Sequence, residues 1–259
     1  MDSTITALPF TAALCAGMLI CLEIGRRMGA RALAQEPQLV NTHSSMAAAI
    51  FSLYGLLLAF TFSGAPSRLD TRRKLISDEA NAIGTSYLRL DLLNPESQSA
   101  LREQFRQYLD SRLAAYRKLP DVEAAEAELA RSNRIQLQIW AQAVAATSSS
   151  TVHPEAGKLL LPALNEMFDI ASTRTMTTRL HPPPIIFGLL FLLALLCSLI
   201  AGYATSISNQ RSWLHVLAFT FVAVITVFVV LEIEFPRIGV LSVENRYDQV
   251  LVDLRDSMR

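Results

Sequence analysis

The chain is poor in the residues on which most catalysis and metal binding depend: it holds three cysteines and four histidines among 259 residues, and only 18% of its residues are charged. Cys15, Cys21 and Cys197 each lie inside an apolar run, where cysteine behaves as a small hydrophobe; no disulfide and no thiolate metal site is expected. None of His43, His153, His181 and His215 stands in the Glu-x-x-His spacing that a carboxylate di-metal bundle needs. Glu166 and Asp169, three apart on one helical face, are therefore expected to pair with Arg174 or with an arginine of a neighbouring helix. A glycine loop for phosphate and a nucleophile elbow are also missing, so the chain reads as no enzyme, with no cofactor and no metal. Its formal net charge is zero, which removes the electrostatic case for a nucleic-acid partner.

What the chain does have is long uncharged runs: 3–22, 37–67, 180–210 and 212–231. Each holds about 20 residues able to cross a hydrocarbon core as helix. Asp2 precedes the first run and no Lys or Arg stands before Arg26, the reverse of a secretory signal, so this run too is read as a span. The expected spans are 8–25, 46–65, 185–207 and 213–233. Trp213 would open the last one at an interface. Before the third, the "HPPPI" stretch holds the chain extended.

Between the second and third spans lie over a hundred residues of charged helical pattern. Asn94 before Pro95 and Glu96 is a start signal, as are Asp121 and the Pro154–Glu155 pair. The expected helices are 67–93, 95–119, 121–147 and 155–180. Leu101, Phe105, Tyr108, Leu109, Leu113 and Tyr116 give one apolar face, and Ile135, Ile139, Trp140 and Val144 another. No strand pattern competes, so the fold class is all-α, an integral membrane protein with a helical region inserted between spans two and three. Lys and Arg near the spans set topology. Arg68, Arg72, Arg73, Lys74, Arg174, Arg179, Arg237 and Arg246 outnumber Arg26, Arg27, Arg31 and Arg211, so the termini and the helical region are expected on the cytoplasmic side.

On the second span, Leu53, Leu56, Leu57, Phe60 and Gly64 form one helical stripe. In a symmetric ring such a stripe would make a hydrophobic constriction; in a lone chain it would face lipid or neighbouring helices. Ser52, Thr61 and Ser63 could solvate a permeating ion or bond back to helix carbonyls. Arg68, Arg72, Arg73 and Lys74 follow, either as a pore-mouth ring that favours anions or as a collar on anionic lipid headgroups; Asp70, Asp78 and Glu79 dilute that basic field. Glu23, Glu232 and Glu234 stand at span ends, where a carboxylate reaches water, and are read as structural.

The blocks "SGAPSRLDTRRKLISDEANAIGTSYLRLDLL", "LLLPALNEMFDIASTRT" and "LEIEFPRIGV" together resemble the bestrophin-like domain family of bacterial membrane proteins, over nearly the full length as one domain. "FSLYGLLLAFTFSGAPSRLDTRRKL" also resembles the second transmembrane helix of bacterial bestrophins. The resemblance implies a homo-oligomeric ion channel in the bacterial inner membrane, a pentamer that passes small anions, with neck-like positions at Leu56, Phe60 and Gly64. Gly64 stands where bestrophins often carry a bulky apolar residue, the Trp pair after their span is replaced by Arg72 and Arg73, and "EIEFPRIG" has Phe before Pro rather than after it. A calcium-binding role for that loop is not carried over. The other reading of the chain is a membrane-anchored sensor or scaffold whose helical region binds a partner or ligand.

Overall fold

The computed structural model describes residues 7–35, 44–119, 121–150, 152–206, 213–235 and 248–258. Among them every element is helical: α1 (Ala7–Gln35), α2 (Ser44–Leu88) with a 3-10 turn Arg89–Leu92 at its end, α3 (Pro95–Arg117), α4 (Val122–Thr147), α5 (Ala156–Arg179), α6 (Pro184–Thr205), α7 (Trp213–Glu234) and α8 (Gln249–Ser257). Four helical stretches are long and apolar enough to cross a membrane: Ala7–Gln35, Met46–Leu92, Ala156–Thr205, which takes in α6, and Val216–Glu234. The all-α architecture with a helical region between the second and third spans is thus as read from the sequence. The Trp213 side chain, Arg211 and the end of the expected third span at 207 lie outside the described residues, as does the "PRIG" part of the last family block.

Two helices are longer than expected. α1 continues to Gln35 instead of stopping near residue 25, because its first charges sustain the helix: Glu23 accepts from Arg26 (2.8 and 3.0 Å) and Arg27 (2.8 Å) at i+3 and i+4. α2 takes in both the expected span 46–65 and most of the expected helix 67–93, with Pro66 inside it. An interior proline costs an isolated helix about 3 kcal/mol. Here the turns on either side are pinned by burial, Thr61 and Ala65 before it and Ile76 and Ile83 after it.

The chain divides into two compact units, with α2 contributing to both: residues up to Arg68 belong to the first and those from Leu69 to the second. The first unit holds α1, the start of α2, α6 and α7. Its core joins Leu14, Met18, Tyr54, Ala194, Cys197 and Val227, with edge-to-face rings at Phe10–Phe191 (5.5 Å) and Phe51–Phe219 (5.8 Å). In lipid, helices gain little by hiding apolar surface from one another, so close backbone approach and polar contacts decide. Gly25, Gly29 and Gly202 supply the approach: a Cβ on Gly25 would overlap the Leu199 carbonyl, one on Gly29 the Tyr203 carbonyl and the Ser206 hydroxyl, and one on Gly202 the Leu22 carbonyl. Two hydroxyls buried along the spans bond within their own helices, Thr11 on the Ala7 carbonyl (2.7 Å) and Ser198 on that of Ala194 (2.8 Å).

The second unit holds α2 from Leu69, the 3-10 turn, α3, α4, α5 and α8. The expected stripe on α3 is its buried face without exception. On α4 the buried line runs Ile135, Ile139, Ala143, Ala146; Trp140 is half-buried and Val144 exposed, so alanines replace the two residues chosen by size. Asn94 caps α3, its Oδ1 accepting from the Ser97 amide (2.9 Å), and Asp121 caps α4, accepting from the Ala124 amide (3.0 Å). α5 starts after Glu155 without a side-chain cap. α8, a short amphipathic helix with Leu251 fully buried, carries too few residues for its period to stand out in the sequence.

Candidate functional site

α2 presents two faces in the first unit. Tyr54, Thr61 and Ala65, at i, i+7 and i+11, are buried against the helical bundle. Leu53, Leu56 and Phe60 lie on another face and are 55%, 53% and 68% exposed, with Gly64 partly covered on the same line. Leu57 packs against the membrane core and drops out of the exposed stripe. Thr61 donates to the Leu57 carbonyl at 2.8 Å, so of its two expected roles the bond back to the helix is the one present; Ser52 and Ser63 are exposed.

One turn beyond Gly64 the stripe reaches Arg68. Its guanidinium lies back along the helix, where a Cβ on Gly64 would stand 2.8 Å from Nη1. There Nε donates to Oε2 of Glu234 at 2.9 Å and Nη2 lies 2.7 Å from the same oxygen. The other carboxylate oxygen, Oε1, is 3.2 Å from Nδ1 of His181, whose ring stacks on Phe235 at 4.6 Å. Glu234 was expected to end its span in water; its side chain is instead fully buried, and Glu232 is buried too. The side chains of the basic run differ in their surroundings. Arg72 is 3% exposed and donates to the Leu180 carbonyl at 3.1 Å, Arg73 lies 3.5 Å from Asp70, and Lys74 is exposed.

The second unit holds a buried ionic network that sequence reading missed. Glu79, expected to dilute a surface field, is fully buried, with Oε1 accepting from Arg112 Nε at 2.7 Å and Oε2 from Arg174 Nη1 at 2.6 Å. Arg174 also bonds Asp248 at 2.9 Å and lies over the Tyr116 ring at 4.0 Å. Arg112 reaches the Thr175 hydroxyl at 3.1 Å and the Tyr116 hydroxyl at 3.1 Å. Burial pushes Arg112 towards losing its proton, but the Glu79 carboxylate and the Tyr116 and Tyr108 hydroxyls outweigh it, and its pKa is raised. The cation therefore persists in the core. Burial likewise pushes the Tyr108 hydroxyl above the usual tyrosine range. Arg174 is thus taken by Glu79 and Asp248, while Glu166 and Asp169 are exposed: the expected pairing with Arg174 is replaced because that guanidinium faces the core, not the surface of α5. The signal was present in the sequence, since Arg112 falls four residues after Tyr108 and seven after Phe105, inside the apolar stripe of α3.

Among the described residues no group of three or more His, Cys, Asp and Glu could hold a metal ion. Cys197 is buried and Cys15 and Cys21 half-buried, all three as free thiols.

A model of the Bestrophin-like domain family matches residues 12–246. Among solved structures, a mutant form of a bacterial bestrophin homologue from Klebsiella pneumoniae is 16% identical, with 92% of this chain and 97% of that one covered and a TM-score of 0.61. A second mutant form of that homologue is 17% identical, with coverage of 93% and 98% and a TM-score of 0.62. A structure described as a membrane protein is 17% identical, with coverage of 94% and 98% and a TM-score of 0.62. These likenesses establish the fold. None of the curated proteins compared with the chain matches it.

Proposed function

The chain belongs to the Bestrophin-like domain family, and on that premise we propose that copies of it close into a ring, five to a ring, and conduct small ions across a bacterial inner membrane, anions ahead of cations. The neck of this channel is the α2 stripe of Leu53, Leu56, Phe60 and Gly64, with Arg68 at its mouth. The segment 67–180 lies on the cytoplasmic side, following the excess of Lys and Arg near that end of the spans. Accessibility of cysteines introduced at Gln98 and Ser148 to an impermeant thiol reagent tests that side.

The observation that carries the reading is how little of α2 its own chain covers. Only 11% of its apolar window is buried, against 28% for α1 and 33% for each of the other two candidate spans. Such a helix must complete its packing outside the chain, on lipid or on other copies. Around a shared axis, leucine and phenylalanine side chains from each copy form a collar that passes ions only when wetted.

Recording purified protein in planar bilayers tests this. Phe60→Ala removes the largest apolar side chain of the stripe, so current should rise as the constriction wets more readily. Unchanged current means that Phe60 faces lipid and the neck is elsewhere. A monomer in detergent that carries no current removes the channel and leaves the anchored sensor or scaffold.

A further inference from the structure

The ion pair at the mouth of the stripe has a third member with chemistry of its own. Glu234 closes α7, where unpaired carbonyls give the helix end a partial negative charge, and its carboxylate is fully buried. A carboxylate in that position needs cationic or donor partners. Its two oxygens serve different ones: Oε2 takes Arg68, and Oε1 faces His181 Nδ1. The His181 side chain is 33% exposed, so solvent protons reach the imidazole and not the carboxylate.

We infer that Glu234 is a positioning residue for ion selection, holding Arg68 across Gly64, and that the proton state of His181 sets the charge this cluster presents. The inference rests on the channel reading. With His181 neutral and its proton on Nδ1, Arg68 and Glu234 contribute opposite charges. A proton taken from solvent at Nε2 adds one positive charge to the cluster, and the imidazolium then competes with Arg68 for the Glu234 carboxylate. Repeated by every copy around a ring, the change raises anion concentration at the mouth and repels cations. The charged groups that face His181 include Glu234 on α7 and, through the same carboxylate, Arg68 on α2. Glu232 is buried two residues earlier on α7, and Arg72 holds the carbonyl of Leu180, the residue before His181.

The test uses full-length protein in bilayers between about pH 8 and about pH 5.5, a span that brackets ordinary imidazole titration. Anion-over-cation permeability of the wild type should rise roughly threefold on acidification, the change a barrier shift of about one kT produces. His181→Gln should conduct without that rise. His181→Phe keeps an aromatic ring to stack on Phe235 and serves where the glutamine variant fails to assemble. Glu234→Gln, which takes this carboxylate from Arg68, should already show near pH 8 the permeability ratio that the wild type reaches only on acidification. Imidazole NMR, with the His181 resonance identified from its absence in His181→Gln, should give the same midpoint as the permeability change in the wild type. A conducting wild type whose selectivity ignores pH, or a pH response that survives both His181 variants, overturns this inference and leaves the channel standing. Absence of current from the wild type at every pH removes the channel itself.

Discussion

In the apolar unit, α1 and α6 meet at Gly25, Gly29 and Gly202, close enough that a methyl group would overlap a carbonyl oxygen; in the charged unit, α2, α3 and α5 meet around a fully buried glutamate and two arginines. Each device suits its solvent. Between helices surrounded by hydrocarbon there is little hydrophobic gain to collect, and contact is won by bringing backbones together. Between helices surrounded by water, burying a side chain such as Phe105 or Leu109 is worth about 1.5–3 kcal/mol, which leaves room for a network whose charges must be desolvated. In the first unit Glu23 pairs along α1 with Arg26 and Arg27, and Glu234 at the end of α7 pairs with a part-exposed Arg68, whereas in the second Glu79, Arg112 and Arg174 sit in the core.

The comparison breaks most sharply at the glycines. Gly202→Leu forces its side chain into the backbone of α1 near Leu22, and the α1–α6 pair should fail to form; the expected result is loss of folded protein in detergent by size-exclusion chromatography. A smaller change at a glycine of the second unit has the opposite sign. A Cβ on Gly84 meets only Leu254 Cδ1 at 3.6 Å, an ordinary contact, so Gly84→Ala should stabilise by about 0.5–1 kcal/mol as a glycine leaves a helix interior. Equal effects at the two sites would erase the distinction drawn here.

Next in size is the network. Glu79→Gln leaves two buried guanidiniums without their shared carboxylate, and removing one partner of a buried pair costs about 3–5 kcal/mol. Thermal unfolding monitored by circular dichroism should show the loss, and a hydrophobic replacement of all three residues together should recover part of it. The smallest effect is local. Asn94→Ala removes the acceptor for the Ser97 amide and should cost about 1 kcal/mol, visible as faster amide exchange in the first turn of α3 and nowhere in the first unit.

Local signals carried far in this chain. The caps at Asn94 and Asp121 and the α3 stripe were legible because each depends on residues within two turns of one another. The stripe on α4 was half legible: size pointed to Trp140 and Val144, yet the residues that α4 buries at that end are Ala143 and Ala146. The end of α1 was misplaced because charges at Glu23, Arg26 and Arg27 look like a membrane boundary in one dimension and act as helix-stabilising pairs in three. The basic run after Gly64 was legible as a run, but the partners that take up Arg68 and Arg72 lie 166 and 108 residues away.

The sequence by itself determined the helical class, the four apolar spans and the order of elements, because hydrophobic length, 3.6-residue period and capping are properties of neighbouring residues. Only the tertiary structure decided that Glu79, Arg112 and Arg174 are buried as one ionic network, that Glu234 is buried against a part-exposed Arg68, and that α2 turns Tyr54 and Thr61 inward and Leu53, Leu56 and Phe60 outward. The physical reason is that a charge enters a core only where distant parts of the chain bring its partner, and an apolar helix face is covered or left open by neighbours that its own residues do not encode.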